Sequence, residues 1–125
     1  MAFITEQMGG GTSAGQAKAI NGTGGSLAAT GSTQTDAALV KASVTIVTGA
    51  DGTKGVRLPA VFPGESCTLF NNSGSTCKVW PPTGAAITVV GTGLGSSNAA
   101  HSMLTYKTVT YTCQSATQWF ANVSA

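Results

Sequence analysis

From Thr108 to Cys113 the chain reads Thr-Val-Thr-Tyr-Thr-Cys. Successive side chains of a strand point to opposite faces, so this run buries Val109, Tyr111 and Cys113 together and turns three hydroxyls the other way. A helix would mix the two sets around its surface. β-Branched threonine also suits a strand better than a helix.

Weaker copies of this pattern recur along the chain. Ala38 to Thr48 is strand-like, with Val44 and Ile46 alternating against Ser43, Thr45 and Val47. Ala37 to Lys41 fits one helical turn equally well. Gly55 to Leu58 is a short strand ended by Pro59. Ser66 to Phe70, Thr76 to Trp80, Ala86 to Val90 and Gln118 to Val123 follow, the last with Trp119 as its largest buried candidate. Asp51-Gly52 and Pro63-Gly64 are turn signals. Asn71 to Ser75 predicts a hairpin loop joining Ser66–Phe70 to Thr76–Trp80. That places Cys67 and Leu69 on one face with Cys77 and Val79, and Lys78 with Trp80 on the other. Pro81-Pro82 ends the strand, since neither residue can donate to a ladder.

About seven short strands with turns between them predict an all-β fold, a small antiparallel β-sandwich or jelly roll. Residues 1–35 differ. Gly9 to Thr12 and Gly22 to Ser26 are rich in glycine, and ordering such segments costs much entropy. The expected organisation is an extended Gly/Ser/Thr-rich N-terminal arm over 1–35 and a β body over 36–125. The first 35 residues are either a solvated tail or an arm that docks on a neighbour. Phe3, Ile4 and Met8 favour the arm, since a purely solvated tail has no need of them.

Only 8% of the chain is charged and the net charge is +2, against roughly 25% charged in an average domain. Lys18, Lys41, Lys54, Arg57, Lys78 and Lys107 are scattered, which argues against nucleic-acid binding. No apolar run reaches the roughly 20 residues of a membrane span. Met1 to Gly10 has neither the cationic start nor the apolar core of a signal peptide, so a cytoplasmic site of folding is expected.

No catalytic, cofactor or metal site is expected. His101 is the sole histidine, and no acid shares a spacing with it that would build a triad. Its neighbour Ser102 points to the opposite face if the segment is a strand. Gly91-Thr92-Gly93-Leu94-Gly95 lacks the Lys-Ser/Thr of a phosphate loop. Cys67, Cys77 and Cys113 lack zinc-ligand spacing. They read as small buried apolar residues, although the predicted hairpin would leave a Cys67–Cys77 cross-strand disulfide conceivable. Trp80 is either a cover for a sheet face or subunit contact, or a binding aromatic.

Several segments occur in a suggestive order: Gly55-Val56-Arg57-Leu58-Pro59-Ala60, Pro63-Gly64, Leu69-Phe70-Asn71-Asn72, and Val79-Trp80-Pro81-Pro82-Thr83-Gly84-Ala85-Ala86-Ile87, with a late aromatic at Trp119. Across about residues 50 to 123 this resembles a module of tailed-bacteriophage virion proteins, in particular the small capsid decoration (cement) proteins. The resemblance implies a homotrimer on the outer capsid surface of the virion, assembled in the host cytoplasm and bracing neighbouring copies of the major capsid protein. It implies no small-molecule substrate, nucleic acid or membrane. Phe3, Ile4, Met8 and Trp80 become the expected capsid or partner contacts. Related modules in tail fibres make a receptor- or glycan-binding role the alternative.

Overall fold

A computed structural model describes residues 25–124. Its ten strands are β1 (Gly25–Ala28), β2 (Ala38–Leu39), β3 (Val44–Thr48), β4 (Gly55–Arg57), β5 (Ser66–Asn71), β6 (Cys77–Trp80), β7 (Ala86–Val89), β8 (His101–Met103), β9 (Thr108–Ser115) and β10 (Gln118–Val123). No helix occurs among the described residues. The Ala38–Thr48 stretch divides into β2 and β3, and of the Ala37–Lys41 segment left open between helix and strand only Ala38–Leu39 is strand, with no helical turn. β1 and β8 are additional to the expected elements.

The strands form a six-stranded sheet, β1-β3-β5-β9-β10-β7, and a four-stranded sheet, β2-β4-β6-β8. From β1 to β6 the chain alternates between them. Parallel neighbours need a crossover of roughly a dozen residues or more, commonly a helix. Among β1 to β6 each crossover is a pass through the opposite sheet, while parallel β7 and β10 are joined through β8 and β9. In the resulting register, Ile46 lies opposite Ser26 and Phe70, and Val56 lies opposite Ala38 and Val79.

Three expectations are corrected. Pairing is mixed, not simply antiparallel: five of the eight strand pairs are parallel. The predicted hairpin does not form, because β5 and β6 belong to different sheets. The turn between them carries the chain across the core. Finally, β1 falls inside the stretch assigned to the arm, yet pairs along its length with β3, and Ala29 behind it is buried.

Asn71 explains the crossing. Its side chain is fully buried, with Nδ2 donating to Ser75 O at 2.9 Å and Met103 O at 3.0 Å. Its Oδ1 accepts from Ser73 N at 3.1 Å. Every polar atom of the amide is thereby engaged, as burial demands. The Met103 bond reaches β8 in the four-stranded sheet and draws the turn toward it.

One core lies between the sheets. Leu69, Val109, Tyr111 and Trp119 enter from the six-stranded side, and Val56, Cys77, Val79 and Met103 from the other. Each large side chain so buried contributes roughly 1.5–3 kcal/mol. The inward set of β9, Val109, Tyr111 and Cys113, is the expected one. In β3 the sets are opposed: Thr45 and Val47 face in, while Val44 and Ile46 face out.

The Asp51-Gly52 turn forms as expected, with Gly52 at φ +93°. Asp51 Oδ1 accepts from Thr53 Oγ1 and from the amides of Thr53 and Lys54. These bonds favour the carboxylate and hold its pKa down at about 2.

Candidate interaction surface

Charge is unevenly divided between the two sheets. No strand of the six-stranded sheet contains Asp, Glu, Lys, Arg or His. The four-stranded sheet holds Arg57, Lys78 and His101.

The outward face of the six-stranded sheet is consequently uncharged. Strand alternation and register put Val44, Thr68, Thr110 and Asn122 in one cross-strand row. Ser66, Thr112 and Phe120 form a row beside it. Val44 is 48% exposed, Ile46 43% and Phe120 38%. The Thr68 and Thr110 hydroxyls bond each other at 3.2 Å, which leaves less hydrogen-bonding capacity for water. At its β7 edge the face is covered by the loop after that strand, where Gly95 N donates to Thr88 Oγ1 at 3.0 Å. This loop contains the Gly91–Gly95 run, of which Gly95 packs on β7, where a Cβ would collide with the Ile87 carbonyl oxygen, whereas a Cβ at Gly91 or Gly93 would meet nothing within 4 Å.

Trp80 stands on the outward face of the four-stranded sheet. As expected it shares that face with Lys78, and across the ladder it lies opposite Arg57. Its ring is partly buried, and Nε1 has no hydrogen-bond partner among the described residues. Arg57 Nη1 donates to Gln34 O, and Gln34 Nε2 donates to Pro81 O at 2.7 Å. The bonds tie Arg57 and the end of β6 to the loop before β2.

A third feature lies at one end of the body. A groove of about 420 Å³ is lined by the β2–β3 connection (Val40 to Ser43), by Pro59 to Phe62, and by Cys67. Phe62 on its wall is 80% exposed. A second groove of about 340 Å³ runs between β1 and β2, past Gly25, Leu27, Leu39 and Thr45.

His101 faces the core, where Nδ1 is 2.7 Å from Tyr111 Oη. Burial lowers its pKa. With its Nδ1 committed to a buried phenol, the ring is placed as a structural bridge between the sheets. The three cysteines are buried and free. Burial raises Cys67 and Cys77 to about 11, which leaves them as thiols and poor nucleophiles. The conceivable Cys67–Cys77 cross-strand bridge does not form: the hairpin that would set the two side by side is absent, and both thiols are free. No cluster of three or more His, Cys, Asp or Glu suited to a metal occurs among the described residues.

Of the expected contact residues, the structure brings Trp80 together with Arg57 and Lys78. Phe3, Ile4 and Met8 lie outside the described residues. Sequence reasoning missed the uncharged face as a unit, because its six strands are dispersed along the chain. The absence of charge within each strand was the available signal.

A scan against family models, a search of curated proteins and a search of solved structures each return no match.

Proposed function

We propose that this chain is a structural protein of a tailed-phage virion. In this reading it is a small β-sandwich decoration protein that binds the outer shell as an oligomer, a trimer by resemblance, and braces neighbouring capsid subunits. The observation that carries the reading is the uncharged outward face of the six-stranded sheet. Charged groups are depleted at the centres of protein interfaces because desolvating them is costly. A face with Val44, Ile46 and Phe120 exposed among threonines can be dehydrated at low cost and packed against protein. Contacts of this kind are individually weak, and an oligomer adds them through effective concentration.

The test places a charge at the centre of the face without touching the core. Ile46→Lys and Thr110→Lys should fold with nearly unchanged melting temperatures and lose binding to undecorated capsids by at least tenfold. Full binding by both variants would remove the face from the mechanism.

One observation favours a second reading, a glycan-binding module of a fibre. Trp80 beside Arg57 and Lys78 would suit stacking on an acidic sugar. Saturable binding on a glycan array, abolished by Trp80→Ala and by Arg57→Ala, would establish it in place of the first.

A further inference from the structure

At the end of the body opposite the start of β1, the turns 49–54, 72–76 and 104–107 meet the last residues of β10 and β7. This end is rich in exposed apolar side chains. Val90 and Tyr106 are each 63% exposed, Leu104 56% and Val123 37%. Lys107 stands just before β9, Val123 ends β10, and Val90 follows β7, with its amide donating to Ala121 O at 2.9 Å. These strands are neighbours in the sheet, so the row from Tyr106 to Val90 covers two strand spacings, about 10 Å.

Tyr106 has φ +58°, a conformation that is costly for a bulky residue. Its turn enforces the value. Tyr106 N donates to Asn71 O at 2.8 Å, Lys107 N donates to Leu104 O at 3.3 Å, and Thr105 Oγ1 donates to Ser73 O. Glycine or asparagine would adopt this turn more readily. A ring so exposed returns little packing to its own chain, and a contact with another molecule would offset the strain.

Both signs of charge are present at this end. Lys107 adjoins the apolar row, and Asp51 and Lys54 lie in the turn 49–54. All three bonds to the Asp51 carboxylate end on Oδ1, so Oδ2 stays available. Acid and base lie on different turns, so a rotated copy of the chain can set its Lys107 against Asp51.

The uncharged face limits where copies can touch. If that face packs on a shell, every copy presents it to the same side. The symmetry axis then runs normal to the sheet, and copies meet along the perimeter of the body. The β7 edge of that perimeter is covered, since Ser97 forms a bridge with Ala86 and Asn98 N donates to Ala85 O at 2.7 Å. The turn end is exposed.

We propose that this end is the surface through which the chain associates with further copies of itself. Leu104, Tyr106, Val123 and Val90 form its apolar centre, and Lys107 meets Asp51 of the partner subunit. The proposal deepens the virion reading, on which it rests for the orientation of the copies.

The test is sedimentation of the full chain in solution, without particles. The unaltered protein should associate at micromolar concentration. Leu104→Asp combined with Tyr106→Asn, a residue that accepts the positive φ, should weaken association at least tenfold with a near-native melt. Lys107→Glu sets like charges together and should weaken association at least threefold. Ile46→Lys on the sheet face and Phe62→Ser at the opposite end should leave it unchanged. A monomeric unaltered protein, association that survives both the double variant and Lys107→Glu, or association lost through either control would overturn the proposal. Binding to undecorated capsids separates the two readings. A chain that associates as expected yet binds no capsid would sink the virion reading alone, and one that binds capsids as a monomer would sink this proposal alone.

Discussion

His101 Nδ1 and Tyr111 Oη meet at 2.7 Å across the core, one ring from each sheet. The rings sit edge to face, with centroids 5.7 Å apart. Tyr111 is fully buried, and its pKa is pushed well up by desolvation. The phenol therefore stays protonated, and the pair joins β8 to β9 through a neutral hydrogen bond.

Tyr111→Phe removes this bond with little change in shape. A loss of about 1 kcal/mol is expected, seen as a melting temperature lower by roughly 4–8 °C. An unchanged melt would show that the bond adds no net stability.

The same pair sets a pH dependence. His101 has a folded pKa below its unfolded value of 6.5, so the unfolded chain binds the proton more readily. Its contribution is complete above about pH 6.5 and is lost as pH falls through the lower folded value. Asp51, held at about 2, and Asp36, lowered by its bonds to Thr33, titrate largely below that window. Melting temperature should fall between pH 7.5 and 5, and His101→Asn should flatten that slope. Equal slopes would refute the assignment.

Asn71 is the most demanding polar residue in the fold. Asn71→Asp keeps the acceptor for Ser73 N but sets a carboxylate against the carbonyls of Ser75 and Met103. Asn71→Ala strands those carbonyls. Each change should cost roughly 2–4 kcal/mol, with the aspartate worse at neutral pH, as measured by urea denaturation. A cost under 1 kcal/mol for both would mean that the crossing does not depend on this side chain.

Gly55 tolerates no side chain. A Cβ there would collide with the Lys78 carbonyl oxygen, which belongs to the paired strand. Gly55→Ala should separate β4 from β6 and lower stability by more than about 2 kcal/mol. Gly74→Ala meets no atom within 4 Å and serves as the control, with near-native thermal unfolding.

The buried thiols predict redox insensitivity. Ellman's reagent should label none of Cys67, Cys77 and Cys113 in the native protein within minutes and all three after unfolding. A reductant should leave the melt unchanged. Fast labelling of one native thiol would contradict the burial of that site.

These residues also show what the sequence reveals and what it conceals. The inward set of β9 was readable because alternation is a local property. So were the Asp51-Gly52 turn and the burial of Trp119. Pairing was not readable. Parallel neighbours such as β3 and β5 are joined through another strand and leave no tight-turn signature. The Asn71–Ser75 loop resembled a hairpin because the bond from Asn71 to Met103 spans distant parts of the chain. β2 and β8 are too short to show a period. At the surface, Lys78 and Trp80 were placed together by alternation, whereas Arg57 joined them only through the ladder.

The most direct test of the structural role is the copy number of this chain in purified virions, by quantitative mass spectrometry against the major capsid protein. The account predicts hundreds of copies in a simple ratio to that protein. Absence from the particle, or only a few to a few dozen copies, would contradict shell decoration.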